Sequence, residues 1–301
     1  MSSFLKSSAR KVLTVVPRSV IGDDILHQNQ YDNHTELQKL KPWNPIFWVG
    51  SGLSILNYST DFFDMIRDGK IRVHIENIDR LGPGKVVLGN SRVLNADAII
   101  CSTGWRKEST ITFAGLGENG LALPLGAKEQ AHLGARYDAE VVEKFPVLEA
   151  PPTLRSEFKE VVEPLRYYRF MVPAALLVKR NFAFAGMISS VSTAICASMQ
   201  GMWITAFFDG KLEREAGSQE DVTREIMMHT QWGKWRYPCG YGAHRPDLVF
   251  ESIPYADMLL KDIGIENKRK PSLLQELLLP YTPQDYRGVH EEFAQKHITK
   301  E

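Results

Sequence analysis

The sequence predicts an α/β protein, on three observations. Short apolar runs recur between helical patterns: Val12, Thr14, Val15 and Val16, stopped by Pro17, and Ala98, Ile99 and Ile100, running into Gly104. Between them lies a capped helix. Ser59, Thr60 and Asp61 start it, Phe62, Phe63 and Ile66 mark its buried face, and Gly69 sits where a helix-ending glycine belongs. Finally, residues 85–88 and 92–95 flank Gly89-Asn90-Ser91, a hairpin signal with positive φ expected at the glycine and the asparagine. Up to Trp105 the elements alternate strand, helix, strand, hairpin, strand. That is the layout of the second half of a nucleotide-binding α/β domain.

Residues 2–9 read as a frayed helix end, and 11–17 as a β-branched strand followed at once by Arg18. Residues 23–45 are polar and patternless, which predicts a long loop or a poorly packed helix-loop. Residues 72–75 alternate as a strand, and the run 98–100 reads as a fully buried one. Residues 108–149 show weak periodicity, and Pro151-Pro152 marks a boundary. Residues 153–165 are helix-like, and 181–186 read as a strand. Ser189 or Ser190 should then open a helix that runs to Asp209 and ends at Gly210. Further helices are expected over 220–232, over 254–263 with Tyr255, Met258 and Leu259 inward, and over 273–279. A charged tail follows from residue 284.

With 301 residues, the chain has room for one large domain or two ordinary ones. Lys+Arg and Asp+Glu each number 36, so a zero formal charge gives no support to a nucleic-acid surface or a polybasic membrane patch. Cys101, Cys196 and Cys239 are too few and too scattered for a disulfide framework or a metal site. They are expected as thiols in a reducing, cytoplasmic setting. The first 22 residues have transit-peptide composition, yet Val12 to Val16 favour a strand. Residues 182–208 carry no charge over a membrane-spanning length. Their serines, Thr193 and Gln200 point instead to a buried strand–helix pair.

No P-loop, His-Glu-x-x-His, Gly-x-Ser-x-Gly or Cys-x-x-Cys occurs. Cys239 and His244 share a Gly-rich loop without two further ligands, so that loop reads as surface. Two strand-to-turn junctions remain: Ser102-Thr103-Gly104-Trp105, and Gly186 to Ser190 before a long helix. Small residues allow a close approach of backbone to a flat ring or a pyrophosphate. A helix N-terminus offers free N–H groups to a phosphate or to the electron-accepting edge of a flavin. Ordinary βα packing would use the same turns.

The stretch Asp97-Ala98-Ile99-Ile100-Cys101-Ser102-Thr103-Gly104-Trp105 resembles the Ala-Thr-Gly-aromatic motif of flavin-containing monooxygenases. Further similar segments are Asn57 to Phe63, residues 181–212 with Gln200 and Trp203, Pro254-Tyr255 to Gly264, and 280–287. The resemblance implies an α/β, incomplete Rossmann-like two-dinucleotide-binding-domain flavoprotein fold, N-terminally truncated and of fungal type. Residues 1–106 would be a partial NADPH-binding domain. Residues 107–301 would be the C-terminal part of the FAD-binding domain with a helical extension. It implies FAD and NADPH as cofactors, with O₂ and a small-molecule substrate that receives one oxygen atom, in secondary metabolism among other settings. Arg18 would meet the ribose 2′-phosphate, Thr103, Gly104 and Trp105 the cofactor junction, and Gly186, Ser189 and Ser190 the flavin. No catalytic acid or base is implied, and no metal, membrane span or nucleic-acid partner.

The family's Gly-x-Gly-x-x-Gly and its second Gly-rich turn do not occur. Gly50-Ser51-Gly52 lacks the third glycine. A second reading therefore stays open: a non-catalytic chain unable to bind FAD alone, acting as an oligomer or beside a full-length relative.

Overall fold

The computed structural model describes residues 31, 34–41, 48, 61–102, 127–153, 165–190, 192–238 and 247–297. These fall into two compact units: residues 31–41 and 61–102 in the first, residue 48 and residues 127–297 in the second. Helix and sheet are mixed, as expected of an α/β chain. The described strands pair antiparallel, and a lone parallel bridge joins Ser189 to Asp247.

In the first unit, α1 (Thr35–Gln38) packs against α2 (Phe62–Arg67). Asp61 caps α2, its carboxylate accepting from the N–H groups of Phe63 at 2.8 Å and Asp64 at 3.3 Å. Phe63 and Ile66 are buried with Leu37 and Tyr31, and the Tyr31 and Phe63 rings meet edge-on at 5.8 Å. Gly69, at φ 71°, ends the helix as expected.

The sheet of this unit runs β1 (Ile78–Gly82), β2 (Lys85–Leu88), β3 (Val93–Asn95), in that order. Pro83-Gly84 closes the first hairpin, with Gly84 at φ 67° behind the proline as a type II turn requires. The second hairpin is the expected one, but Ser91 takes the positive φ, at 65°, rather than Gly89 or Asn90. Its ladder closes with the Ala96 N–H on Gly84 O at 3.0 Å.

The run beyond that bond is not the expected buried strand. Residues 98–102 pair with nothing among the described residues, and Ile100 is 94% exposed. An apolar run is buried only where a neighbouring strand lies along it, and β3 leaves the sheet before residue 98. Residues 72–75 and 181–186 likewise carry no strand pairing. The strand expected over 12–16 lies outside the described residues.

The second unit is a helical body. Its elements are α3 (Ala127–Lys144), a β4–β5 hairpin (Tyr167–Tyr168, Val172–Pro173), α4 (Thr193–Phe208), α5 (Gln219–Arg236), α6 (Ser252–Asp262), α7 (Leu273–Leu278) and α8 (Val289–His297). α3 packs on α5, and α4 on α6 and α8. α5 begins with a reciprocal capping box, Ser218 with Asp221. Gly210 and Gly264, both at positive φ, end α4 and α6 as expected. α4 starts at Thr193, later than Ser189 or Ser190. The expected charged tail contains α8, which buries Val289, Phe293 and His297 at four-residue spacing. Most of the helix expected over 153–165 lies outside the described residues. Among the described residues, no helix is long and apolar enough to cross a membrane.

Candidate functional site

The expected site residues Gly186, Ser189 and Ser190 form one turn ahead of α4, and a buried polar network lies beneath it. The network starts in the β4–β5 hairpin, whose turn residues Arg169 and Phe170 adopt φ 54° and 61°. Positive φ at two successive central positions is the signature of a type I′ turn, normally filled by Asn and Gly. Here a buried ion pair holds it. The Arg169 guanidinium, fully buried, donates from Nε and from Nη2 to the two oxygens of Asp262, the latter at 3.2 Å. Its Nη1 donates to Glu225. The Trp203 indole donates to Asp262 at 3.0 Å, and the guanidinium lies 4.4 Å from the Tyr168 ring centre. Burial pushes the Glu225 carboxyl up, but Arg169 outweighs it and holds it below its ordinary value. Burial also drives His229 down to about 4. At neutral pH His229 is therefore uncharged, so its 3.9 Å approach to Glu225 is not an ion pair.

A chain of hydrogen bonds links this network to the turn. The Tyr255 hydroxyl donates to Arg169 O at 3.0 Å, and Gln200 Nε2 donates to the Tyr255 oxygen at 2.7 Å. Gln200 Oε1 then accepts the Gly186 N–H at 2.8 Å. The order fixes the Gln200 amide, because a backbone N–H can only donate. Burial raises the Tyr255 pKa, which keeps that hydroxyl a donor. Gly186 stands at φ 76° with open space where a Cβ would point.

Ser189 O accepts the Leu248 N–H at 2.8 Å. Ser190 Oγ accepts the Ser192 N–H at 3.0 Å, and Ser190 O accepts from Thr193 Oγ1 at 2.7 Å. These bonds fix the approach to α4 but leave its first turn without a side-chain cap, and that turn holds no acid. The first-turn N–H groups of α4 therefore have no side-chain acceptor from the N-cap.

Arg18, Thr103, Gly104 and Trp105 lie outside the described residues, as do Cys239 and His244. Cys101 is exposed and Cys196 buried, both as free thiols. No group able to hold a metal occurs among the described residues. Gln200, Trp203 and Tyr255 were singled out by sequence, though not for this linkage. Arg169, Glu225 and Asp262 were not. The one signal for Asp262 was an acid at the end of an apolar helix, just before Gly264.

The comparisons point to one class, the fungal FAD-dependent monooxygenases, and the chain is homologous to part of such proteins. It is 30% identical over 290 residues to the FAD-dependent monooxygenase resA of Aspergillus sclerotiorum, covering 90% of this chain and 49% of that protein. It is 28% identical over 282 residues to the FAD-dependent monooxygenase rstn6 of Aspergillus nomiae, covering 91% and 48%. A third relative is the FAD-dependent monooxygenase DEP4 of Alternaria brassicicola, 29% identical over 277 residues, covering 88% and 47%. The chain spans about half the length of the curated relatives it matches. No protein-family model and no solved structure matches it.

What the described residues could offer FAD is limited to one end: α4 begins without a side-chain cap or an acid, and Gly186 has open space where a Cβ would stand. The described residues offer no Gly-rich strand–turn–helix for the pyrophosphate.

Proposed function

We propose that this chain is part of a flavin-dependent monooxygenase of Rossmann-like fold that uses FAD, NADPH and O₂ to place one oxygen atom on a small organic substrate. The single observation that carries the reading is the uncapped, acid-free start of α4, preceded by a turn whose Gly186 N–H is held through Gln200 and Tyr255 to a buried polar core. FAD comes from the names of the relatives. When bound, it supplies the redox chemistry and the activation of O₂.

The chain's own part is positioning. First-turn N–H groups of α4 donate to the acceptor edge of the ring, where negative charge gathers on reduction. Gln200 holds the Gly186 N–H, so the turn keeps its shape without a ligand. Arg18 holds the 2′-phosphate of NADPH through its fork of donors. Thr103, Gly104 and Trp105 line the junction between the two cofactors, with residues 1–106 on the NADPH side and 107–301 on the FAD side.

The test is the visible spectrum of the purified chain, with and without added FAD, followed by NADPH oxidation. A yellow chain that consumes NADPH supports the reading. A chain that stays colourless and leaves NADPH untouched is the non-catalytic alternative. Replacing Arg18 by Ala is expected to weaken NADPH about tenfold or more while sparing NADH. Equal losses for the two nucleotides remove the phosphate role.

A further inference from the structure

The first unit contains a cleft that the reading above does not use. α1, the end of α2 and residues 69–74 enclose about 300 Å³, at the small end of ligand-site volumes. Among the described residues, His34, Lys39, Arg67, Arg72, His74 and Arg92 line it, against a single acid, Glu36. Two of these cations are already committed. Lys39 pairs with Glu36 and donates to Val73 O at 3.1 Å, while Glu36 also accepts the Val73 N–H at 3.0 Å. Arg67 pairs with Asp64 at 2.5 Å. The side chains of Arg72 and Arg92 have no partner among the described residues. The carbonyls at the end of α2 are occupied, Met65 O by the N–H groups of Lys70 and Ile71 and Ile66 O by that of Gly69. Ile66, Ile71 and Val73 give the cleft an apolar side.

We propose that this cleft binds a phosphate monoester, with its dianionic head between Arg72 and Arg92 and a small organic body against Ile66, Ile71 and Val73. Two free guanidinium forks match a dianion, whereas a lone carboxylate leaves one of them unpaired. The cleft is small and the chain is neutral overall, which disfavours a polyanion. The monoester belongs to a separate phosphorylated metabolite, since the 2′-phosphate of NADPH is assigned above to Arg18. The site does not depend on flavin binding at α4.

The test is calorimetric titration of the full chain at constant ionic strength with inorganic phosphate, glucose 6-phosphate and NADPH. Wild type is compared with Arg72→Gln/Arg92→Gln and with Arg80→Gln/Arg136→Gln, which removes two exposed charges elsewhere. Saturable binding of inorganic phosphate and glucose 6-phosphate is expected, at least about tenfold weaker in the cleft variant and unchanged in the control. The single variants, each several-fold weaker, serve if the double variant does not fold by circular dichroism. NADPH binding lost with the cleft arginines overturns a site separate from the nucleotide. NADPH binding unaffected by them, beside loss of glucose 6-phosphate, assigns the phosphate to a separate metabolite. Absence of saturable phosphate binding, or equal losses in both double variants, overturns the proposal.

Discussion

Arg169 shows how a single residue can be held against its own backbone preference. A non-glycine residue at φ 54° costs roughly 1–3 kcal/mol, and Phe170 beside it adds a similar amount. The offset is electrostatic, since Asp262, Glu225, Trp203 and Tyr168 surround a guanidinium with no access to water. Deleting one partner strands the others. Asp262→Ala is therefore expected to destabilise the chain by about 3–5 kcal/mol in urea unfolding, as removal of one half of a buried pair does. A loss below about 1 kcal/mol places the pair outside the folded core. None of this was legible from sequence, because Arg169 and Asp262 stand 93 residues apart. Nothing local in Tyr-Tyr-Arg-Phe announces a positive-φ turn.

α5 carries a testable consequence of burial at the level of the element. His229 sits fully enclosed on it, against the Phe170 ring, with Glu225, Arg169 and Arg214 as the charges that act on it. Its pKa falls from 6.5 to about 4 on folding. A depressed value means the unfolded chain binds the proton first. The contribution is thus complete above about pH 6.5 and is lost as pH falls toward 4, about 3 kcal/mol in all. Glu225, also depressed, adds to the loss at the acid end of that window. Denaturant midpoints measured across pH 4 to 7 should fall with acid, and His229→Phe should flatten the slope. A flat wild-type profile contradicts the burial.

Elements with explicit start or stop chemistry were legible. Asp61 and Gly69 bracket α2, and Gly264 closes α6. α3 was missed because its buried stripe is thin, Leu133, Tyr137 and Val141, and Gly134 interrupts it. That glycine lies beside Gln231, whose amide donates to Gly134 O at 3.3 Å. β1 was missed for the opposite reason, since all five of its residues are exposed and carry no alternation. Residues 98–100 mislead because composition reports what a run can bury, not whether a neighbour lies along it.

At the scale of the whole molecule, an uncapped helix start lies in the same unit as a buried polar core. Of the expected site residues, Gly186, Ser189 and Ser190 come together in one turn, because α4 follows that turn and Gln200 reaches back to it. Recognition of the turn from sequence rested on a small-residue strand end before an uncharged helix. The link beneath it required side chains from three separated segments, which spacing cannot reveal. The central claim is that this helix start receives the flavin. Titrating the full chain with FAD and following flavin fluorescence tests it most directly, with wild type beside Gln200→Leu, which frees the Gly186 N–H. Saturable quenching by wild type and a several-fold weaker affinity in the variant are expected. Quenching that never saturates, or an affinity untouched by Gln200→Leu in a folded chain, contradicts that claim.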